Sequence, residues 1–158
     1  MTLLLCSILS CTNNTGNISG MDYVIFQSVE SNRFSDHTPT KLNHSEVELI
    51  ETIIKTELKE IIEFHKIQTE RIYSNSNKSD LENHIKFVRQ YLPFRNNRNE
   101  KIVFIQFICN PDDKYERYKN EWETKPVGNI IDGGSCYFNF IVDLTNNSLI
   151  DVSINSVG

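Results

Sequence analysis

The sequence is short of the residues that several large functional classes require. Lys and Arg number 16 against 21 Asp and Glu, giving a formal net charge of −5 and a pI near 5.4. A nucleic-acid surface needs clustered Lys and Arg, so no nucleic-acid partner is expected. No apolar run approaches the roughly 20 residues that a membrane-spanning helix needs. Metal-ligand spacings are missing: the chain has no Cys-x-x-Cys, His-x-x-x-His or Asp-x-Asp-x-Asp. Neither a metal nor a cofactor is therefore expected. A Gly-x-Ser-x-Gly elbow is also missing. Asp132-Gly133-Gly134 precedes a strand rather than a helix, which is the wrong context for a phosphate loop. The apolar content of 39% is low for a large enzyme core, yet enough for a helix packed on one face of a sheet. No catalytic set is expected.

What is present is organised around the stretch from Asp132 to Gly158. Phe138, Phe140, Val142 and Leu144 alternate along one strand, and Ile150, Val152 and Ile154 along the next. Thr145-Asn146-Asn147-Ser148 lies between them, so the pattern predicts a β-hairpin. An earlier hairpin follows the same logic. Its first arm carries Ile85, Phe87, Val88, Tyr91, Leu92 and Phe94, its turn is Asn96-Asn97-Arg98-Asn99, and its second arm is Lys101–Cys109. Both faces of that second arm are apolar, as in a central strand. Pro93 lacks a ladder donor and points to an edge or a bulge for the first arm.

Asn43 to about Lys66 predicts one long helix. Asn43 and Glu46 form a box-like cap. Val47, Ile50, Ile54, Leu58 and Ile61 recur at spacings of three and four, and Glu48, Glu51, Lys55, Lys59, Glu60 and Glu63 occupy the other face. That charged face is expected to be solvated. Lys114–Glu123, with Tyr115, Tyr118 and Trp122 at helical spacing, reads as a short aromatic-faced helix or an ordered loop. The fold expected is α+β, with one long amphipathic helix on an antiparallel sheet of about four strands.

The N-terminus reads as a targeting segment. Leu3–Ser10 is a short apolar run, and Ile8-Leu9-Ser10-Cys11 resembles a bacterial lipobox. In a lipobox a small residue precedes a cysteine that becomes lipidated. The plainer alternative is an ordinary apolar segment. Residues 1–11 are thus expected to be a signal, 12–20 a polar tether and 21–158 a single domain, with Asp22–Gln27 a weak strand. The protein is expected to be exported and held at a membrane by its lipid.

Cys109 ends one strand and Cys136 begins the next. If those strands are antiparallel neighbours, the two cysteines lie close, and export would permit a disulfide. The alternatives are a buried free thiol, or a Cys136 nucleophile with His37, His44, His65 or His84 as base. No motif surrounds any of those histidines.

The order of elements resembles the cystatin-like arrangement, a helix cradled by about four antiparallel strands. More narrowly, three stretches resemble a group of small bacterial lipoproteins of uncharacterised function. They are Phe87-Val88-Arg89-Gln90-Tyr91-Leu92-Pro93-Phe94, the strand end Phe107-Ile108-Cys109-Asn110, and Asp132-Gly133-Gly134-Ser135-Cys136-Tyr137-Phe138 with Asp151-Val152-Ser153-Ile154-Asn155. The resemblance implies a shared structural role for Cys109 and Cys136 and brings no catalytic residues. The expected function is a lipid-anchored interaction module of the cell envelope with an unidentified protein partner. Two alternatives stand beside it. One is a small-molecule pocket protein or enzyme using His84, Tyr91, Gln106 and Asp143; the other is an immunity-type protein that neutralises a toxin.

Overall fold

Two Asn-rich turns and one helix crossing build the fold, seen in a computed structural model that describes residues 13–18, 20–27, 37–69, 87–108, 122–127 and 137–154. In chain order the elements are β1 (Asn14–Ile18), β2 (Met21–Ile25), β3 (Thr38–Pro39), α1 (His44–Thr69), β4 (Val88–Arg95), β5 (Lys101–Ile108), β6 (Tyr137–Asp143) and β7 (Ser148–Ile154). The strands form one sheet in the order β1-β2-β4-β5-β6-β7, with β3 also beside β4.

This corrects the expected architecture. The sheet has seven strands rather than about four, and it is mixed rather than antiparallel. The single helix is a minor part of the chain, so the cystatin-like arrangement does not hold. The extra strands come from the polar N-terminal region. Residues 14–18, expected to be tether, form β1 opposite β2, with Asn14 facing Ile25 and Ile18 facing Met21. β2 then pairs in parallel with β4, Tyr23 facing Arg89. A parallel neighbour requires a long crossover, and α1 lies within it. Tyr23, Val24, Ile25 and Phe26 are contiguous and all buried. A strand covered on both faces shows no alternation, which is why this one read weakly.

The two later hairpins use asparagine where the backbone turns. Asn99 (φ 62°) and Asn147 (φ 52°) occupy the left-handed region, which Asn tolerates better than most residues. β5 lies between β4 and β6 and is buried along nearly its whole length. β4 is an interior strand in unbroken register with β5, contrary to the edge or bulge expected from Pro93. The proline sits at the junction where β4's outer partner changes from β2 to β3. Its carbonyl accepts from Thr40 N (3.2 Å), and no ladder bond from a Pro93 N–H is needed there.

A β-bulge corrects the reading of β7. Val142 faces Leu149 while Ile141 faces Asp151, so Ile150 is the extra residue. Leu149 and Val152 pack on the core, and Ile150 is 56% exposed.

The sheet is apolar on both faces. Tyr23, Ile25, Tyr91, Val103, Ile105, Phe107, Phe138, Phe140 and Val142 meet Val47, Ile50, Ile53 and Ile54 of α1. The helix starts where sequence placed its cap: Glu46 N donates to Asn43 Oδ1 (3.0 Å), and Asn43 N donates to Glu46 Oε2 (2.9 Å). The other face gathers Val24, Phe26, Leu92, Phe94, Phe104 and Ile108 under Trp122. Phe104 therefore belongs to the core, but on the face away from α1. Leu58 and Ile61 lie in the part of α1 whose side chains are outside the described residues.

Candidate functional site

Alternation along β4 sends odd-numbered residues toward α1 and even-numbered residues to the opposite face. Arg89 and Tyr91 thus enter the helix–sheet interface, while Gln90 goes to the other side. Arg89 is 1% exposed and Tyr91 fully buried. Glu51 of α1 reaches down to both. Arg89 Nε donates to Glu51 Oε1 (2.8 Å), and the Tyr91 hydroxyl donates to the same oxygen (2.6 Å). Arg89 Nη1 donates to the Phe87 carbonyl, and the guanidinium lies 4.5 Å from the centroid of the Phe107 ring. Glu51, expected on the solvated face of the helix, instead points into the interface, with 11% of its side chain exposed.

The cluster continues toward β2. Tyr23 meets Tyr91 edge-on with ring centroids 5.7 Å apart. The Tyr23 hydroxyl shares a 2.8 Å hydrogen bond with His44 Nδ1, and His44 Nε2 stands 3.6 Å from Glu48 Oε1 at the surface. Gly16, opposite Tyr23 on β1, leaves space for the ring, since a Cβ there would collide with it. Burial, and then the negative charge of Glu51, hold the Tyr91 phenol well above its ordinary range. Burial, and then Glu48, also raise Tyr23. A Tyr–His–Glu series can suggest an activated hydroxyl, in which an adjacent base takes the proton or the pKa is lowered. Here the phenol is shifted the other way.

On the far face a polar row crosses four strands. Gln90 faces Gln106, Gln106 faces Asn139, and Asn139 faces Ser153. Gln90 fastens the segment 122–127 to the sheet. Its Nε2 donates to the carbonyls of Trp122 (2.6 Å) and Lys125 (3.0 Å), and its Oε1 accepts from Val127 N (2.8 Å). Asn139 Oδ1 is shielded from solvent and has no hydrogen-bond partner among the described residues.

Of the four pocket residues predicted from sequence, Tyr91 faces α1, whereas Gln106 and Asp143 belong to the opposite face. These three do not converge. Asp143 is consumed by its own turn, accepting from Thr145 N (2.8 Å), Asn146 N (3.1 Å) and Asn146 Nδ2 (2.6 Å). His84, Cys11, Cys109 and Cys136 lie outside the described residues. Among the described residues no group of three or more His, Cys, Asp or Glu is placed to hold a metal ion. Arg89 and Glu51 were missed in the sequence. The available signal was parity: Arg89 shares its face with Phe87 and Tyr91 and so must be buried with them.

No family model, curated protein or solved structure matches the chain. Among the described residues no helix is long and apolar enough to cross a membrane.

Proposed function

We propose that the chain is an exported binding module of the cell envelope, held at the membrane by lipid on Cys11 and acting by contact rather than by chemistry. The observation that carries this reading is that the buried ionisable and polar groups named above are taken up by bonds within the fold. Tyr91 lies on one face of the sheet and Gln106 and Asp143 on the other. Glu51, Arg89, Asp143 and Gln90 are engaged by neighbours within the fold. The anchor itself is supported by Ile8-Leu9-Ser10-Cys11. A tagged full-length chain, crosslinked in membranes and then solubilised in detergent, should carry a protein partner in stoichiometric amount. Recovery without such a partner overturns the reading.

One observation favours a small-molecule pocket as a second reading. Among the described residues Asn139 Oδ1 is a shielded acceptor without a donor, beside Gln106 in the polar row that crosses this face. Native mass spectrometry of the purified protein would then show a bound small molecule.

A further inference from the structure

We infer that the anchor holds the domain flush against the bilayer, with the corner of the sheet around the start of β1 facing the phospholipid headgroups. The inference rests on the proposed lipidation of Cys11. β1 begins at Asn14, and all five of its residues are paired with β2. Only Thr12 and Asn13 separate Cys11 from the sheet. A fully extended chain spans about 3.5 Å per residue, so the α-carbons of Cys11 and Asn14 stand no more than about 11 Å apart. A headgroup layer is itself about 5–7 Å thick. The domain therefore has little room to move away from the lipid surface.

The first residues of the fold add to this constraint. Asn13 Nδ2 donates to the Glu123 carbonyl (3.2 Å). Ile25, opposite Asn14, is followed by Phe26, whose amide donates to the Tyr91 carbonyl (2.9 Å). Gln27 clamps Leu42 through two 2.9 Å bonds, one donated by its Nε2 to the Leu42 carbonyl and one accepted by its Oε1 from Leu42 N. Lys41, Glu123, Thr124 and Lys125 are exposed around this corner. The large apolar side chains exposed among the described residues, Leu49 and Ile150, belong to α1 and β7 instead. A polar corner suits headgroups rather than acyl chains. β7 is the opposite edge of the sheet from β1, so Ile150 is left on the aqueous side.

The test is an acetylation footprint of the lipidated full-length chain in vesicles of phosphatidylethanolamine and phosphatidylglycerol. The reagent is a water-soluble amine acylator. Lys41 and Lys125 should react several-fold more slowly in vesicles than in detergent, with Lys55 on α1 as the unaffected reference. Inserting about 20 Gly/Ser residues between Thr12 and Asn13 gives a stalk of about 25 Å, which should restore both rates. If lipid is found on Cys11 but the insertion changes neither rate, the flush orientation is wrong and the lipoprotein reading stands. If mass spectrometry finds no lipid on Cys11, and Cys11→Ala fractionates like the parent, both are wrong.

Discussion

Glu51 and Arg89 stand 38 positions apart in the chain, and 2.8 Å separates the carboxylate oxygen from the guanidinium nitrogen that donates to it. The pair joins α1 to β4 in a nearly water-free interface. Desolvating two ions offsets most of their attraction, so the pair adds little net stability, yet breaking one half leaves an uncompensated charge.

That asymmetry gives the first prediction. Glu51→Ala takes from the buried Arg89 the carboxylate that its Nε bonds, and should cost about 3–5 kcal/mol. The double variant Glu51→Leu/Arg89→Met should be more stable than Glu51→Ala. Urea denaturation of the three proteins measures the difference. A double variant weaker than the single would show that the charge pair itself is strongly stabilising.

Tyr91 sets the alkaline limit. Its folded pKa lies well above 10.0, its ordinary value, so the folded state keeps a proton that the unfolded chain releases. Stability is therefore whole below about pH 10 and falls as pH rises above it. Tyr91→Phe should flatten that alkaline slope. At neutral pH it should also cost about 1–3 kcal/mol through the lost bond to Glu51. Denaturation midpoints from about pH 8 upward read both effects.

Phe140 is fully buried, with ring centroids 4.8 Å from Phe107 and 5.5 Å from Phe138. Phe140→Ala should cost about 3–5 kcal/mol, because these rings cannot collapse into the space without breaking their own packing. A loss near zero would contradict the packing described here.

The register of β5 against β6 bears on the cysteines. Ile108, the last residue of β5, faces Tyr137, the first of β6, and Cys109 and Cys136 are their neighbours in the sequence. Residues directly opposed in an antiparallel ladder share a face, with α-carbons about 4.5–5.5 Å apart, inside the range a disulfide accepts. A non-reduced tryptic digest of the native protein should yield one peptide linking Cys109 to Cys136. Free alkylation of both thiols in the native protein would exclude the bond.

The hairpins and the helix cap were legible because each is written locally. Asn turns sit between alternating arms, and Asn43 lies three residues from Glu46. What escaped was non-local. Asn14–Ile18 contains nothing that announces a strand; it becomes one because β2 offers an open edge. The parallel pairing of Tyr23 with Arg89 leaves no mark in either segment. The bulge at Ile150 shifts the face of every later residue relative to a simple alternating count. Glu51 looked solvated because its helix face carries other charges. Its partner lies on a strand whose identity as a neighbour the sequence does not state. Tyr91, Gln106 and Asp143 were grouped by chemical type alone, and the faces of the sheet separate Tyr91 from the other two.

The parallel junction of β2 with β4 also orders events in time. β4 to β5 and β6 to β7 close over short turns and can form early, whereas β2 must wait for a partner encoded far downstream, and such long-range closure is slow. A chain emerging N-terminus first presents Val24, Ile25 and Phe26 before β4 exists. Maturation should therefore pass through a species with its C-terminal hairpins formed and its first two strands still undocked.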